Sequence, residues 1–237
     1  MGRRTVHRQA QLEPADGGAG VVGAATLLSR TLGYIRDAVI AWYFGAGLNS
    51  DAFIAAFRIP NLLRKLLGEG SISNAFVPVL TDYLAKDGKD EALELAKSAL
   101  WVMSIVLVVV SICGIILSPL IVKVIAPGFA DSPGKISLTI VLTRIMFPYI
   151  FFIGMVALCM GILNVFGHFA TPALAPVLLN LAMIFSVFFL CPHFSQPVLG
   201  LAVGVMIGGV LQLGLQVPVM VRKGFLLRQK AKILHPG

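Results

Sequence analysis

Charge is scarce in this sequence. Asp, Glu, Lys and Arg make up 13% of the residues, against 57% apolar, and the mean hydropathy is +0.89. Soluble domains carry roughly 25% charged residues, so this composition excludes an ordinary soluble fold and implies a polytopic membrane protein. Cysteine is scarce too. Cys113, Cys159 and Cys191 show no C-x-x-C spacing and no nearby histidine cluster, which points to small apolar fillers and away from metal ligation or disulfides. Clustered carboxylates for Mg²⁺ and a placed histidine nucleophile are absent, His168 and His193 standing alone in short loops. An enzyme acting on polyprenyl phosphates usually needs one or the other. No cofactor and no metal is expected.

The formal charge of +8 raises the question of nucleic acid. The cations are spread over loop clusters and helices, with no basic, aromatic-interleaved domain to carry such binding, so no nucleic-acid partner is expected. Residues 1–19, MGRRTVHRQAQLEPADGGA, are polar, and the apolar run that follows reaches Arg30 without an A-x-A-like cleavage site. They read as a disordered cytoplasmic tail, not a signal peptide.

About 20 helical residues cross ~30 Å of hydrocarbon, and four uninterrupted apolar runs meet that length, at 98–122, 145–166, 172–190 and 198–221. Two further stretches, 20–44 and 51–80, are long enough but carry charge. The positive-inside rule arbitrates. If both cross, Arg3, Arg4, Arg8, Lys86, Lys89, Lys97, Arg222, Lys223, Arg228, Lys230 and Lys232 all lie inside, against Lys123 and Lys135 outside. If 51–80 does not cross, the bias inverts. The expectation is therefore an all-α fold of six membrane-spanning helices, at 20–44, 51–80, 98–125, 139–166, 172–191 and 197–221, with both termini cytoplasmic. The membrane unit is 20–221, and 222–237 is a basic cytoplasmic segment. Pro60 is expected to break the second helix, because it lacks an N–H and its ring opposes the carbonyl of Ala56. The charged stretch 82–97, DYLAKDGKDEALELAK, reads as a short amphipathic surface helix or a solvated connector.

Six cations remain within or beside the spans: Arg30, Arg36, Arg58, Arg64, Lys65 and Arg144, facing Asp37, Asp51 and Glu69. Each costs about 2.5 kcal/mol or more if it faces lipid. Arg30 and Asp37, seven residues apart on one helix face, form an available ion pair, which leaves most of the cations over. A water-filled cavity open to an anion solves the problem, since guanidinium forks match phosphate oxygens in pairs. Blander readings stand beside this one: Asp51 as a helix cap, Lys65 and Arg144 snorkelling to an interface, and Glu69 as a loop residue or an i,i+4 partner of Lys65. Ser29 and Gly33, at i and i+4, let a neighbouring helix approach closely.

The stretch SRTLGYIRDAVIAWYFGAGLNSDAFIAAFRIPNLLRKLLGEGSISNAFVPVL (29–80) resembles the first two helices of the MurJ (MviN) lipid II flippases. The likeness continues through APGF (126–129), FPYI (147–150), GILN (161–164), APVLLN (175–180) and GGVLQL (208–213). The resemblance implies a transporter, not an enzyme. It places the chain in the multidrug/oligosaccharidyl-lipid/polysaccharide exporter superfamily, in the bacterial inner membrane among its lipids, moving the lipid-linked peptidoglycan precursor for cell wall synthesis. By resemblance, Arg30, Arg36 and Arg64, with Asp51 and Glu69, line or gate the central cavity, the three arginines as its substrate-binding residues; Arg58 and Asp37, charged positions in the same two spans, are expected to line or gate it with them. Family members are about twice this long and have two lobes, so the implied fold is the amino-terminal lobe alone, and the implied partner, if it is encoded separately, is a second lobe. An exporter of another polyprenyl-diphosphate oligosaccharide and a truncated, non-transporting fragment are the alternatives.

Overall fold

The computed structural model describes residues 16–65, 72–129 and 131–225. The expectations for residues 1–15, for Glu69 and for 226–237 lie outside these residues. The described residues form eight α-helices: α1 (Asp16–Phe44), α2 (Leu48–Lys65), α3 (Ile72–Lys86), α4 (Lys89–Ile125), α5 (Pro133–Met146), α6 (Tyr149–Val165), α7 (Ala170–Phe189) and α8 (Pro197–Arg222). Short 3₁₀ turns at Pro127–Phe129 and Cys191–His193 follow α4 and α7. No strand occurs among the described residues.

Four helical stretches are long and apolar enough to cross a membrane: Lys89–Ile125, Gly134–Val165, Ala170–Phe189 and Pro197–Arg222. They correspond to the four apolar runs of the sequence. Neither α1, α2 nor α3 is among them: α1 and α2 carry charges that lower their hydropathy, and α3 has only 15 residues.

The helix boundaries depart from the sequence reading in four places. α2 runs through Pro60 to Lys65. A proline interior to a helix deletes one hydrogen bond and bends the axis, but flanking bonds can hold the helix together, so Pro60 is not where the 51–80 stretch divides. Residues 66–71, between α2 and α3, lie outside the described residues. The stretch 139–166 is two helices, α5 and α6, with the turn at Phe147–Pro148. There Ile150 and Phe151 donate to the carbonyls of Phe147 and Pro148, at 3.0 and 3.1 Å, tightening the junction. The stretch 82–97 is no separate surface helix. Asp82–Lys86 closes α3, Gly88 turns the chain at φ +91°, a conformation that favours glycine, and Lys89 opens α4. On this first part of α4, Ala92, Leu95 and Ala96 are buried against Leu80, Leu158 and Phe225. Finally, α1 runs from Asp16, so its first turn takes up the last four residues of the stretch read as a disordered tail.

The core is built outward from α7, which packs most extensively on α8 and then on α1. Glycine sets the α7–α8 approach. A Cβ on Gly204 would stand 2.4 Å from the Cβ of Ser186, and one on Gly208 2.6 Å from a methyl of Leu179. Four residues apart, these glycines place α7 close to the backbone of α8, the small-x-x-x-small packing that membrane helices use. Ser186 then donates to the carbonyl of Gly200 at 2.5 Å. α2 and α5 complete this apolar cluster, in which Ala52, Phe53 and Ala56 of α2 meet Leu138, Leu142 and Met146 of α5, and Met183, Val187, Leu201 and Val205 join α7 to α8.

This packing makes Gly204→Ala a strong test of the fold. The added methyl meets the Cβ of Ser186, which cannot rotate away, so α7 and α8 must separate. Unfolding in detergent should show a loss of about 1–3 kcal/mol, and an unchanged transition would mean the two helices do not approach as described.

A charged cavity at the α1–α2–α5 end

Gly45 closes α1. Its N–H donates to the carbonyl of Ala41 at 2.9 Å, its φ of +60° turns the chain, and its own carbonyl accepts from Ser50 at 2.5 Å. The tight turn lays the first half of α2 beside the last half of α1. Across from them, α4 ends at Ile125, the Pro127–Phe129 turn follows, and α5 begins. Between these elements lies a cavity of about 900 Å³, within the range of ordinary ligand sites. Arg36 and Asp37 of α1, Asp51, Arg58 and Asn61 of α2, Phe129, and Lys135 of α5 are among its lining residues, and Met183 of α7 closes one wall.

Arg36 is the best-held cation. Its Nε and Nη2 donate to one carboxylate oxygen of Asp37 at 2.9 and 2.7 Å, and its Nη1 donates to the side-chain oxygen of Asn180 at 2.8 Å. These contacts use three of the five guanidinium N–H groups, so donors remain for a further acceptor. Asn180, buried on α7, also donates from Nδ2 to the backbone carbonyl of Ser29 at 2.9 Å. A Cβ on Gly33 would lie 3.7 Å from that same nitrogen. Ser29 and Gly33 are thus the small pair that lets α7 come close, as the sequence suggested. The expected Arg30–Asp37 pair is not formed, because Asp37 is taken by its neighbour Arg36.

Asp51 lies in the first turn of α2, where a carboxylate suits the helix dipole, and its carboxylate is bound by Lys135 at 2.5 Å. Lys135, expected on the outer side, is the third residue of α5, and its ammonium also sits 4.2 Å from the ring centroid of Phe129, a favourable cation–π distance. Arg58 is exposed and lines the cavity. Arg30 is exposed on α1 and is not among the lining residues. Arg64 and Lys65 fall in the last turn of α2. Arg144 donates from Nε to Ser118 at 3.0 Å, binding α5 to α4.

The cavity therefore gathers Arg36, Arg58 and Lys135 against Asp37 and Asp51. It suits an anion with several oxygen acceptors, and no nucleophile–base pair stands among its described lining residues. Sequence reasoning missed Asn180 and Lys135. The signal for Asn180 was a lone amide within an apolar run, inside the APVLLN motif; that for Lys135 was a lysine two residues after Pro133, in the opening turn of a helix.

An all-helical chain with four membrane-length apolar stretches and a charged cavity among its helices is a polytopic membrane protein. A family model for Lipid II flippase MurJ matches residues 40–237. The chain is 40% identical over 224 residues to the probable lipid II flippase MurJ of Vibrio cholerae serotype O1, covering 92% of this chain and 43% of that protein. It is 41% identical over 220 residues to the lipid II flippase MurJ of Burkholderia cenocepacia, covering 91% of this chain and 43% of the relative. A solved structure described as lipid II flippase MurJ in an inward closed conformation superposes with a TM-score of 0.73 at 28% identity, covering 87% of this chain and 43% of the other. The chain belongs to the lipid II flippase MurJ family, and it spans less than half the length of these relatives.

Asn180 joins α1 to α7 and steadies Arg36, so Asn180→Ala should loosen both. A stability loss of about 1–3 kcal/mol is expected, together with greater thiol reactivity of a cysteine introduced at Ser29. Wild-type stability and reactivity would show that the bridge is not needed to seat α1.

Proposed function

We propose that the chain is the amino-terminal lobe of a lipid II flippase, working in the bacterial inner membrane with both termini in the cytoplasm. In this reading six spans cross: α1, the α2–α3 pair, α4, the bent α5–α6 unit, α7 and α8. The cavity receives the diphosphate of the lipid-linked disaccharide peptide, and a second lobe closes over it. Rocking of the lobes then carries the headgroup across, as in two-lobe transporters generally. No covalent step is involved.

The observation that carries the proposal is the placement of Arg36, Arg58 and Lys135 around one cavity in a chain of this family. Guanidinium donors left over after Asp37 and Asn180 are served suit phosphate oxygens. Arg30, Arg36 and Arg64 are proposed as the substrate-binding arginines. Arg30, exposed on α1, meets the substrate from the side where the second lobe would stand. Asp37, Asp51, Arg58 and Glu69 are proposed to line or gate the passage.

In a complete two-lobe protein, Arg36→Ala and Arg64→Ala should abolish lipid II translocation while membrane protein levels stay near normal. Arg64→Lys should rescue poorly, because an ammonium keeps the charge and loses the planar fork, and Lys65→Gln should be tolerated. Accessibility of lipid II to an externally added cleaving agent measures each variant. Full transport by Arg36→Ala and Arg64→Ala would remove the cation-cavity explanation.

The topology has its own check. In a cysteine-free background, Gly47→Cys, Gly134→Cys and Ser195→Cys should react with an impermeant thiol reagent applied outside intact cells, and Asp87→Cys should stay silent. The reverse pattern overturns the six-span arrangement.

A further inference from the structure

The Asp51–Lys135 ion pair joins two helices. It spans the first turns of α2 and α5, yet these helices do not depend on it, since Ala52, Phe53 and Ala56 already pack on Leu138 and Leu142 in a buried apolar contact. The pair is unevenly covered: the Lys135 side chain is 20% exposed and that of Asp51 51%. Lys135 is held by the protein, and Asp51 stands more open to solvent. The Phe129 ring supports the ammonium from a second side without using a hydrogen-bond acceptor. Both members line the cavity that Arg36 and Arg58 line.

We infer that Lys135 is an anion-binding residue of this cavity and that Asp51 is its resting counter-ion, displaced when the diphosphate group of a lipid enters. The inference rests on the proposed function and names a contact that reading lacked. Desolvation favours the arrangement. A lysine so covered is costly without a partner, so a carboxylate holds its charge in place until a phosphate oxygen takes over the same ammonium. Phe129 keeps Lys135 in position during the exchange, because its attraction to the cation does not depend on which anion is bound. The more open Asp51 can rehydrate as it leaves. Arg36 and Asp37 repeat the pattern on α1, a cation steadied by a carboxylate at 2.7 Å, so two of the cavity's three cations are paired before its ligand arrives.

A structural bridge and a displaceable counter-ion predict different signs. The purified full chain in detergent micelles is titrated with a short-chain polyprenyl diphosphate, and in a parallel arm with inorganic diphosphate, by calorimetry. Lys135→Met should weaken binding of the lipid diphosphate about tenfold or more. Asp51→Asn, which frees the ammonium, should strengthen it several-fold, and Lys135→Arg should retain binding. A stronger response in the lipid arm supports a lipid-borne ligand, whereas equal affinity for inorganic diphosphate overturns that part of the inference. If Asp51→Asn and Lys135→Met both weaken binding, the pair is a structural tie and the inference fails. Should Lys135→Met not fold, the Asp51→Asn and Lys135→Arg arms still decide by their signs. Arg36→Gln separates this inference from the functional reading: loss of binding in Arg36→Gln with none in Lys135→Met overturns the role of Lys135 alone. Absence of saturable binding in the unmodified chain overturns both.

Discussion

An arginine packed between helices needs partners, and the contact between α1 and α7 exists where this chain supplies them. Arg36 cannot lie against hydrocarbon without a cost of several kcal/mol. Asn180 meets it with one side-chain atom and binds the backbone of α1 with another. A single buried amide thus fixes the position of a helix and the direction of a charge. The small residues Ser29 and Gly33 make this possible by letting α7 come within reach.

The rest of the lobe supports that contact. Glycines on α8 bring it against α7, so the helix presenting Asn180 is braced from behind by close backbone packing. Between α2 and α5 the contact is apolar and buried, which frees the charged residues at their ends to face the cavity. Apolar packing holds the helices, and charge is reserved for the space they enclose. In a membrane this division is sensible: lipid competes little with close van der Waals packing, whereas a misplaced charge finds no solvent to relieve it.

Within the cavity, two of the three cations have a carboxylate beside them. Such pairing keeps buried charge tolerable in the absence of a ligand. It also sets a condition on any ligand, which must offer each cation at least as much as the carboxylate already gives. A group with several charged oxygens meets that condition, and a neutral sugar hydroxyl does not. The paired arrangement is therefore selective as well as stabilising.

The sequence by itself determined the class of protein, the four long apolar crossings and the presence of charges that hydrocarbon would not accept, because these follow from composition and run length. It also marked Arg36, Asp37, Asp51 and Arg58, all of which the structure brings to one cavity. Only the tertiary structure decided who pairs with whom. Asp37 lies one residue from Arg36 and seven from Arg30, and helical periodicity favoured the more distant partner, while the actual one was chosen by side-chain geometry against Asn180, which is 144 residues from Arg36 in sequence. Lys135 looked like a loop cation because its helix begins only two residues earlier, and its partner Asp51 is 84 residues away. Pro60 looked like a break because the lost hydrogen bond is a local fact, whereas continuation of the helix around it is not. Hydrophobic run length is a local property that a sequence carries openly. Charge pairing between helices depends on how closely they pack, and that is settled by glycines and alanines whose neighbours are not written beside them in the chain.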